Sequence, residues 1–486
     1  MAIRRYFADK DNTITNAYKA NLQTRGVSGN MGQSDILETF SIYAQASSAS
    51  SELTRILVQF PVTGTTSGYI SYDREQGTIP PSGSTSFYLK MYNAAHSSTT
   101  PKSFTLTVHP ISQSWTEGLG LDMENYSDEG ASNWISASDG VAWTTEGGDY
   151  LSSPVFSQNF DSGFENLEVD VTSLVETWIL GVTGNYGVEI KLTGSEESAT
   201  DSYYTKMFFA RGSQFFFKRP VLEVRWDSSK KDQRGNFFLS SSLVPAADNL
   251  MNLYLYNIVK GQLTNIPSVG TGNLLVSIYS GSTDNTAPSG SKLYLPVGGG
   301  VAATGDVNIT GSWVETGIYS ASFAYASSSI TTIFDLWHGG GIDFYTGNGI
   351  TVKTFKSYGY NFDQRYVSKV VNLRPIYSPE ETARFRLYIR QKDWKPTIYT
   401  VSSEIMPNSI IDNTYYKVMR VSDELNVISY GTGSLNHTRL SYDTSGSYFD
   451  LDMSLLETDT VYSLKFVYLI NELYVEQPEE FRFRVE

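Results

Sequence analysis

The four histidines of this 486-residue chain are the first residues to consider for catalysis or metal binding. Zinc sites often place two imidazoles at HxH or HExxH spacing, and none of His96, His109, His338 and His437 has such a partner. The GxSxG pattern of a serine nucleophile, the phosphate-binding P-loop and cysteine are all absent. Aspartate and glutamate are abundant, so the carboxylate pair of a glycosidase stays open. The sequence predicts a protein that is not an enzyme, with a glycan-cleaving enzyme as an alternative.

A long segment, 115–150, collects oxygen donors that are typical of calcium loops. Asp122, Glu124, Asn125 and Asp128 fall within it, and calcium binds six to eight such oxygens. Their spacing matches no defined calcium motif, so we favour a solvated acidic loop and predict no cofactor, with calcium as the alternative. Asp9, Asp11 and Asn12 form a second and smaller cluster.

The same segment holds two tryptophans that are candidates for glycan binding. Trp134 and Trp143 stand among Gly, Ser and Asp, and sugars pack their C–H faces on exposed aromatic rings. The alternative, which we favour, is that both rings anchor the loop by packing. We expect Trp115 and Trp178 to be buried packing residues.

Three consecutive phenylalanines are a candidate subunit contact. Neighbouring residues of a strand point to opposite faces, so at least one of Phe215, Phe216 and Phe217 must face outward in a sandwich. We expect a neighbouring subunit to cover it.

A second candidate contact surface is the strand-like run ARFRLYIR. Phe385, Leu387 and Ile389 would share a buried face, and the opposite face would carry three guanidinium groups, those of Arg384, Arg386 and Arg390. The interpretation we favour is an ordinary solvated face, with a subunit contact as the alternative.

The composition favours strands over helices. Aromatic residues make up 14% of the chain and glycine contributes 40 residues. A net charge of −15 argues against nucleic acid as the main partner. Neither a secretion signal nor a run of ~20 apolar residues is visible, so we expect no membrane span.

The order of strand-like runs predicts an all-β chain of three domains. Residues 1–228 would form a jelly-roll sandwich with one short helix. After the charged linker Lys230–Gly235, residues 236–365 and 366–486 would form two immunoglobulin-like sandwiches.

The short helix lies in Leu167–Leu192, between two strand-like runs. Val171, Leu174, Val175 and Trp178 fall at offsets 0, 3, 4 and 7, which is one face of a helix. Asp170 stands at the N-cap position, where its side chain would accept hydrogen bonds from free N–H groups of the first turn. Gly181 suits a left-handed C-cap that ends the helix. The helix should plug the open end of the sandwich, with Leu174, Val175 and Trp178 inward and Glu176 and Thr177 outward.

Four pieces of the first domain, in order, resemble the DNRLRE-type β-sandwich, a jelly-roll module of the carbohydrate-binding kind. They are a core strand with an early Arg, a Trp-Thr-Glu turn, a capped helix with its following strand, and a closing segment: Leu53–Phe60, Ser114–Gly118, Val169–Gly181 with Gly187–Lys191, and Phe208–Arg225. The closing segment departs from the family pattern, because Gly212 follows Arg211 where an acidic residue is usual. The resemblance covers about 220 residues and implies a fold rather than a catalytic activity.

Residues Val370–Ser402 are similar to a recurrent segment in structural proteins of contractile-tailed marine bacteriophages, and ARFRLYIRQKDW followed by PTIYT carries the similarity. This resemblance implies a virion protein that is assembled in the host cytoplasm. Its partners would be other virion proteins and symmetric copies of itself. A carbohydrate-binding module that recognises host surface glycan is the alternative function.

Overall fold

The computed structural model describes residues 2–96, 101–127, 130–200, 204–282, 288–302, 308–354, 365–393 and 408–486. The chain is all-β, as the sequence predicts, and its contacts group it into two units. Unit 1 comprises Met1–Asp227 with Thr432–His437 and Ser454–Asp459, and unit 2 comprises Ser228–Gly431, Thr438–Met453 and Thr460–Glu486. The predicted boundaries of three domains stay a prediction. Among the described residues, no helix has the length and apolar character needed to cross a bilayer.

Unit 1 contains fifteen strands and three short α-helices among its described residues. The strands are β1 Ile3–Phe7, β2 Lys10–Thr15, β3 Gly29–Asn30, β4 Ile36–Tyr43, β5 Ser51–Gln59, β6 Ser86–Met91, β7 Phe104–Pro110, β8 Asp122–Ser127, β9 Ser136–Ser138, β10 Val141–Ala142, β11 Phe156–Phe160, β12 Leu167–Asp170, β13 Val188–Leu192, β14 Tyr204–Phe209 and β15 Val221–Arg225. The helices are α1 Ile70–Glu75, α2 Thr172–Ile179 and α3 Gly194–Glu197. The sequence predicted only α2.

Two antiparallel sheets form the sandwich of unit 1. The smaller has the order β1-β15-β6-β12, and the larger has the order β11-β7-β13-β5-β4-β14 with β2 also paired to β5. Alternate residues of facing strands meet in one apolar core, in which Leu89 and Val224 of the smaller sheet join Ile56 and Ile190 of the larger. β5 is a central strand, as predicted, and is apolar on both faces because Leu57 points into a second cluster beneath the segment 115–150.

Helix α2 closes the sandwich as the sequence predicts. Leu174, Val175 and Trp178 belong to the same apolar core as the two sheets. The helix ends in a complete Schellman motif: Gly181 has a φ of +68°, its N–H donates to the Trp178 carbonyl, and the Val182 N–H donates to the Thr177 carbonyl.

Two details of α2 differ from the prediction. Val171 occupies the N-cap position, and the Asp170 carboxylate instead accepts hydrogen bonds from the Thr172 N–H at 2.9 Å and from the Thr172 hydroxyl at 2.6 Å. Glu176 does not face solvent freely, because both of its oxygens accept hydrogen bonds from Arg74 at the end of α1, at 2.6 and 2.8 Å. Glu176 was predicted to face outward because α1, which supplies Arg74, has no strong sequence pattern and was not predicted.

Unit 2 contains twenty-one strands among its described residues. They are β16 Phe237–Phe238, β17 Met251–Tyr256, β18 Ile258–Val259, β19 Gln262–Leu263, β20 Leu274–Ser282, β21 Pro288–Lys292, β22 Ile309–Glu315, β23 Ile318–Phe323, β24 Thr332–Gly339, β25 Ile342–Thr346, β26 Ile350–Lys353, β27 Tyr366–Val370, β28 Ile376–Tyr377, β29 Thr382–Gln391, β30 Thr414–Arg420, β31 Asn426–Ile428, β32 Ser441–Asp443, β33 Gly446–Asp452, β34 Thr460–Ile470, β35 Leu473–Glu476 and β36 Phe481–Val485.

Strands β16–β26, except the β18–β19 hairpin, form one continuous nine-stranded sheet that folds over its own core. β22 makes the fold possible, because Ile309–Gly311 pair with β20 while Ser312–Glu315 pair with β23. Trp337 of β24 and Tyr319 of β23 are both fully buried in the resulting core.

Strands β27–β36 form two sheets that pack face to face. The orders are β27-β29-β33-β32 and β28-β36-β34-β30-β31, with β35 also paired to β34. Aromatic rings join the two layers: Phe449 of β33 lies 4.1 Å, centroid to centroid, from Tyr416 of β30 and 6.1 Å from Phe466 of β34.

Candidate functional site

Trp134 and Trp143 do not present the exposed ring faces that glycan binding was predicted to use. Their exposed fractions are 4% and 5%, and they pack with Trp115 against Ile14 and Leu57 on the outer face of the larger sheet. The Trp143 indole N–H donates to the Asn133 carbonyl at 2.8 Å. The packing interpretation that the sequence favoured therefore describes the surroundings of both rings, and their role in glycan binding stays a prediction.

The predicted calcium ligands are occupied by local hydrogen bonds. The Asp122 carboxylate accepts from the backbone N–H groups of Asn125 and Glu124, at 2.7 and 2.8 Å, and these bonds lower its pKa. The Glu124 carboxylate accepts from the Ala20 N–H at 3.0 Å. Asp128 lies outside the described residues. Within the described ranges no group of three or more His, Asp or Glu side chains is arranged to hold a metal ion, and calcium stays a prediction.

Two of the pieces that carry the family resemblance meet in an ion pair. The Arg211 guanidinium of the closing segment donates to both oxygens of Glu117, in the Trp-Thr-Glu turn, at 2.5 Å each. Asp11 completes the cluster, because its N–H donates to Glu117 at 2.8 Å and its carboxylate accepts from the Arg211 N–H at 2.6 Å. Burial raises the pKa of Asp11 to about 7. The Arg211 loop thus carries an ionic contact despite Gly212, and its partner comes from another motif.

A buried ionic network lies beneath the segment 115–150. Arg55 of β5 pairs with both oxygens of Glu197 at 2.9 and 3.0 Å and with Glu189 at 3.3 Å. Lys191 also pairs with Glu197, at 3.0 Å. Burial raises the pKa of Glu189 to about 8, although Arg55 and Lys191 oppose the rise. Helix α3, which begins with a capping box at Thr193, positions Glu197. These carboxylates are engaged within the chain, which fits a structural role.

The smaller sheet carries a comparable cluster on its strands. Glu223 of β15 accepts from the guanidinium groups of Arg5 and Arg225, both at 2.7 Å. Burial alone would raise the pKa of Glu223, but Arg5, Lys90 and Arg225 together hold it well below its ordinary value. No sequence pattern predicts this cluster, since its members come from three separate strands.

The three phenylalanines lie in a turn that leads into the short 3-10 helix Phe216–Lys218. Phe217 is buried, and Phe216 packs on Phe7 with their ring centroids 4.7 Å apart. Phe215 is 46% exposed and packs one edge on Phe209. At least one outward ring was predicted, and Phe215 is exposed; the subunit that would cover it stays a prediction.

The alternation predicted for Ala383–Arg390 is present in β29. Phe385, Leu387 and Ile389 are buried, and the arginines face the other way. Arg384 forms a bidentate pair with Asp450 at 2.8 and 2.9 Å, and Arg386 forms one with Asp443 at 3.1 and 2.9 Å. Arg390 donates to the Gln391 carbonyl. These intrachain partners fit the solvated-face interpretation better than a contact surface, which stays a prediction for all three arginines.

Unit 2 contains a cleft with a volume of about 640 Å³ that was not predicted from the sequence. Tyr254 and Tyr256 of β17 project into it from one face of the strand, and Tyr345 of β25 comes from the neighbouring hairpin. Hydroxyl, amide and carboxylate groups complete the lining, from Asp232, Asn348, Thr351, Asp443 and Thr444. Leu255, between the two tyrosines, is buried in the core of unit 2. The cleft is therefore mainly aromatic and polar.

The residues predicted to be a linker build one wall of this cleft. The backbone of Lys230–Asp232 pairs with β32: the Asp232 N–H donates to the Tyr442 carbonyl at 3.1 Å, and the Tyr442 N–H donates to the Lys230 carbonyl at 2.9 Å. Asp232 then caps a 3-10 turn by accepting from the Arg234 N–H at 3.1 Å. For the tyrosines of β17, a sequence signal was available: MNLYLYN alternates and places Tyr254 and Tyr256 on one face of the strand.

Ion pairs fix the charged groups of the cleft. Arg234 forms a bidentate pair with the fully buried Asp335 at 2.6 and 2.8 Å, and the Trp337 indole N–H donates to the same carboxylate at 2.6 Å. Asp443 is held by Arg386. Burial raises the pKa of Asp232 to about 6, although Arg234 opposes the rise. The walls are thus preorganised before any ligand arrives.

Exposed apolar side chains gather on two hairpins of unit 2. In β35, Leu473, Tyr474 and Val475 have exposed fractions of 68%, 48% and 44%. In the β18–β19 hairpin, Ile258 and Val259 are 61% and 49% exposed. Among the described residues β35 pairs with β34 alone, so one edge of this strand has unpaired backbone groups.

No family model and no curated protein matches the chain. Among solved structures it is similar to a marsupial T cell receptor, with 8% identity over 52% of this chain and 71% of that one and a TM-score of 0.15. It is also similar to Salmonella alpha-2-macroglobulin reacted with methylamine, with 9% identity over 93% of this chain and 21% of that one and a TM-score of 0.16. The titin domains z1z2 in complex with telethonin match at 9% identity over 51% of this chain and 87% of that one, with a TM-score of 0.13. Likenesses at this level carry no argument about function, and the predicted family resemblances stay predictions.

Proposed function

We propose that this chain is a non-enzymatic structural protein of a tailed-phage virion, which assembles through protein–protein contacts in the neck, tail, fibre or capsid surface. The phage assignment rests on the resemblance of Val370–Ser402, of which residues 394–402 lie outside the described ranges. The assembly role rests on β35, where three consecutive apolar side chains are exposed on a strand with an unpaired edge. Such an edge accepts a strand from another chain through backbone hydrogen bonds, while alternate side chains enter pockets of the partner.

The assembly role is tested by self-association of the full chain. Leu473 and Val475 share one face of β35, so the double substitution Leu473→Lys with Val475→Lys places two charges on the proposed contact. Light scattering after size exclusion should show oligomers of the wild type and at least a tenfold weaker association of the double variant. Leu243→Lys is the matched control, because Leu243 is 92% exposed and lies outside this strand.

A wild type that stays monomeric at millimolar concentration, and that also binds no other particle protein, would contradict the assembly role. Quantitative mass spectrometry of purified phage particles tests the location separately, since a structural component is present in a fixed number of copies. Absence of the chain from the particles would overturn the virion assignment.

The cleft of unit 2 favours a second function, the recognition of host surface glycan. Its tyrosine rings and fixed polar groups are the combination by which proteins hold sugar rings, whose two faces are apolar and whose rims carry hydroxyl groups. The two functions are compatible, because the cleft and β35 share no residue.

A further inference from the structure

The cleft of unit 2 has the size and the rigidity of a small-molecule site. Its volume of about 640 Å³ falls within the usual ~300–1,000 Å³ of ligand-binding clefts. Arg234 and Asp443 are held by ion pairs to Asp335 and Arg386, so a ligand does not have to order them. Preorganised groups of this kind lower the entropy cost of binding.

The charges of the lining select against anions. Asp232 and Asp443 contribute two carboxylates and Arg234 one guanidinium, and two of the guanidinium N–H groups already donate to Asp335. A phosphate or a carboxylate would therefore meet more negative than positive charge. These features disfavour an anionic ligand.

The remaining lining groups select for a polyhydroxylated ligand. The rings of Tyr254 and Tyr256 lie side by side, with centroids 6.3 Å apart and planes inclined by 29°, and Tyr345 is 42% exposed at the rim. Asn348 and Thr444 add an exposed amide and hydroxyl. Flat aromatic rings beside hydroxyl, amide and carboxylate groups match the two surfaces of a sugar, whereas a purely apolar ligand would leave the polar groups unpaired.

We propose that this cleft binds a neutral saccharide, which stacks on the tyrosine rings and hydrogen-bonds to Asp232, Asn348 and Thr444. The inference rests on the second proposed function, glycan recognition, and gives it a site and a class of ligand; it does not depend on the assembly role. The site belongs to unit 2, whereas the tryptophans that were the sequence-based candidates belong to unit 1.

Binding of the full-length protein to a printed array of neutral, acidic and amino-sugar oligosaccharides tests the inference, followed by titration calorimetry with the tightest neutral ligand. Tyr345→Ala and Asn348→Ala should each weaken that binding at least tenfold, and Tyr345→Phe should retain most of it because the ring remains. Tyr294→Ala is the matched control, since Tyr294 is 63% exposed in the same unit but does not line the cleft. Its binding should equal that of the wild type.

The possible outcomes distinguish a failure of the proposed cleft site from a failure of glycan recognition as a function. Binding that survives in both Tyr345→Ala and Asn348→Ala would overturn the site while leaving glycan recognition in place. If no saccharide on the array binds the wild type, glycan recognition and the site both fail. Preference for acidic over neutral saccharides would contradict the charge argument and so the proposed ligand class. Both side chains are exposed, so the variants should fold, and circular dichroism checks this directly.

Discussion

At the scale of single residues, polar side chains in unit 1 hold together segments that are distant in the chain. Arg211 and Glu117 are 94 positions apart and still form a bidentate pair. No local pattern could predict that contact, because each partner lies in a separate motif and burial decides which carboxylate the guanidinium meets. The sequence placed both motifs in one domain but did not predict the cluster that joins them.

The same limit applies to Trp134 and Trp143, for which the sequence favoured packing but named no surface to pack on. Glycine- and serine-rich surroundings left exposed rings open as an alternative, but Ile14 and Leu57 on the outer face of the larger sheet provide an apolar surface that the segment covers. Whether a loop tryptophan faces solvent or the sheet beneath it depends on that second surface, which composition does not reveal.

Asp11 should give unit 1 a pH-dependent stability. Its pKa is raised to about 7 from an ordinary 3.8, mainly by burial, so the folded chain keeps a proton that the unfolded chain releases between about pH 4 and 7. The free energy of unfolding contributed by this residue therefore falls as the pH rises through that window, by at most ~1.4 kcal/mol per pH unit. Asp11→Asn should remove this part of the slope, as measured by denaturant unfolding of the full chain at several pH values.

The control for this prediction is Glu75→Gln, at an exposed position of the same unit, which should leave the slope unchanged. A slope in Asp11→Asn that equals that of the wild type would show that Asp11 is ionised in the folded chain throughout the window.

At the scale of elements, α2 was the best-predicted part of the chain. Its helical period, its buried face and its terminal glycine are all encoded within a dozen residues, so local reasoning was enough. The partner of Glu176 was missed because Arg74 lies 102 positions away on α1. The cleft of unit 2 was missed for a related reason: strand β17, the segment from Tyr345 to Thr351, the β32–β33 turn and a supposed linker converge there, and none of them is unusual alone.

Gly181→Ala should destabilise unit 1 by ~1–2 kcal/mol, because φ +68° lies in the left-handed region, which is sterically unfavourable for a residue with a Cβ. An added Cβ would meet no atom within 4 Å, so the effect isolates backbone strain. Chemical denaturation monitored by tryptophan fluorescence measures it.

Gly194→Ala is the matched control for Gly181→Ala. It also adds a Cβ into open space, but at a position without positive φ. We expect a change within ~0.5 kcal/mol. Equal losses in the two variants would mean that backbone conformation is not the cause.

At the scale of the whole molecule, the apolar cores are distributed over two contact units. Trp178 lies in the core of unit 1 and Trp337 in the core of unit 2, and both are almost fully buried. The all-β class followed from composition and alternation alone. The grouping into two units did not, since it includes the short segments Thr432–His437 and Ser454–Asp459 in unit 1, which only tertiary contacts reveal.

The two units should give two resolvable unfolding transitions in calorimetry. Trp178→Ala should lower the free energy of unfolding of unit 1 alone, and Trp337→Ala that of unit 2 alone. Each loss should be ~3–5 kcal/mol, because the removed ring leaves a cavity. Hydrogen-exchange mass spectrometry assigns each transition to its strands. A single transition that both substitutions shift equally would show that the chain unfolds as one cooperative body.

The pairing of β1 with β15 has a consequence for how the protein is made. β1 is an edge strand, and its strand partner in the described chain is β15, some 215 residues later. At ~5–20 residues per second a ribosome needs on the order of ten to forty-five seconds to travel from one to the other. Throughout that time β1 is an unpaired nascent segment, so chaperones that hold emerging chains should engage it, and unit 1 should complete its smaller sheet only after Arg225 has left the exit tunnel.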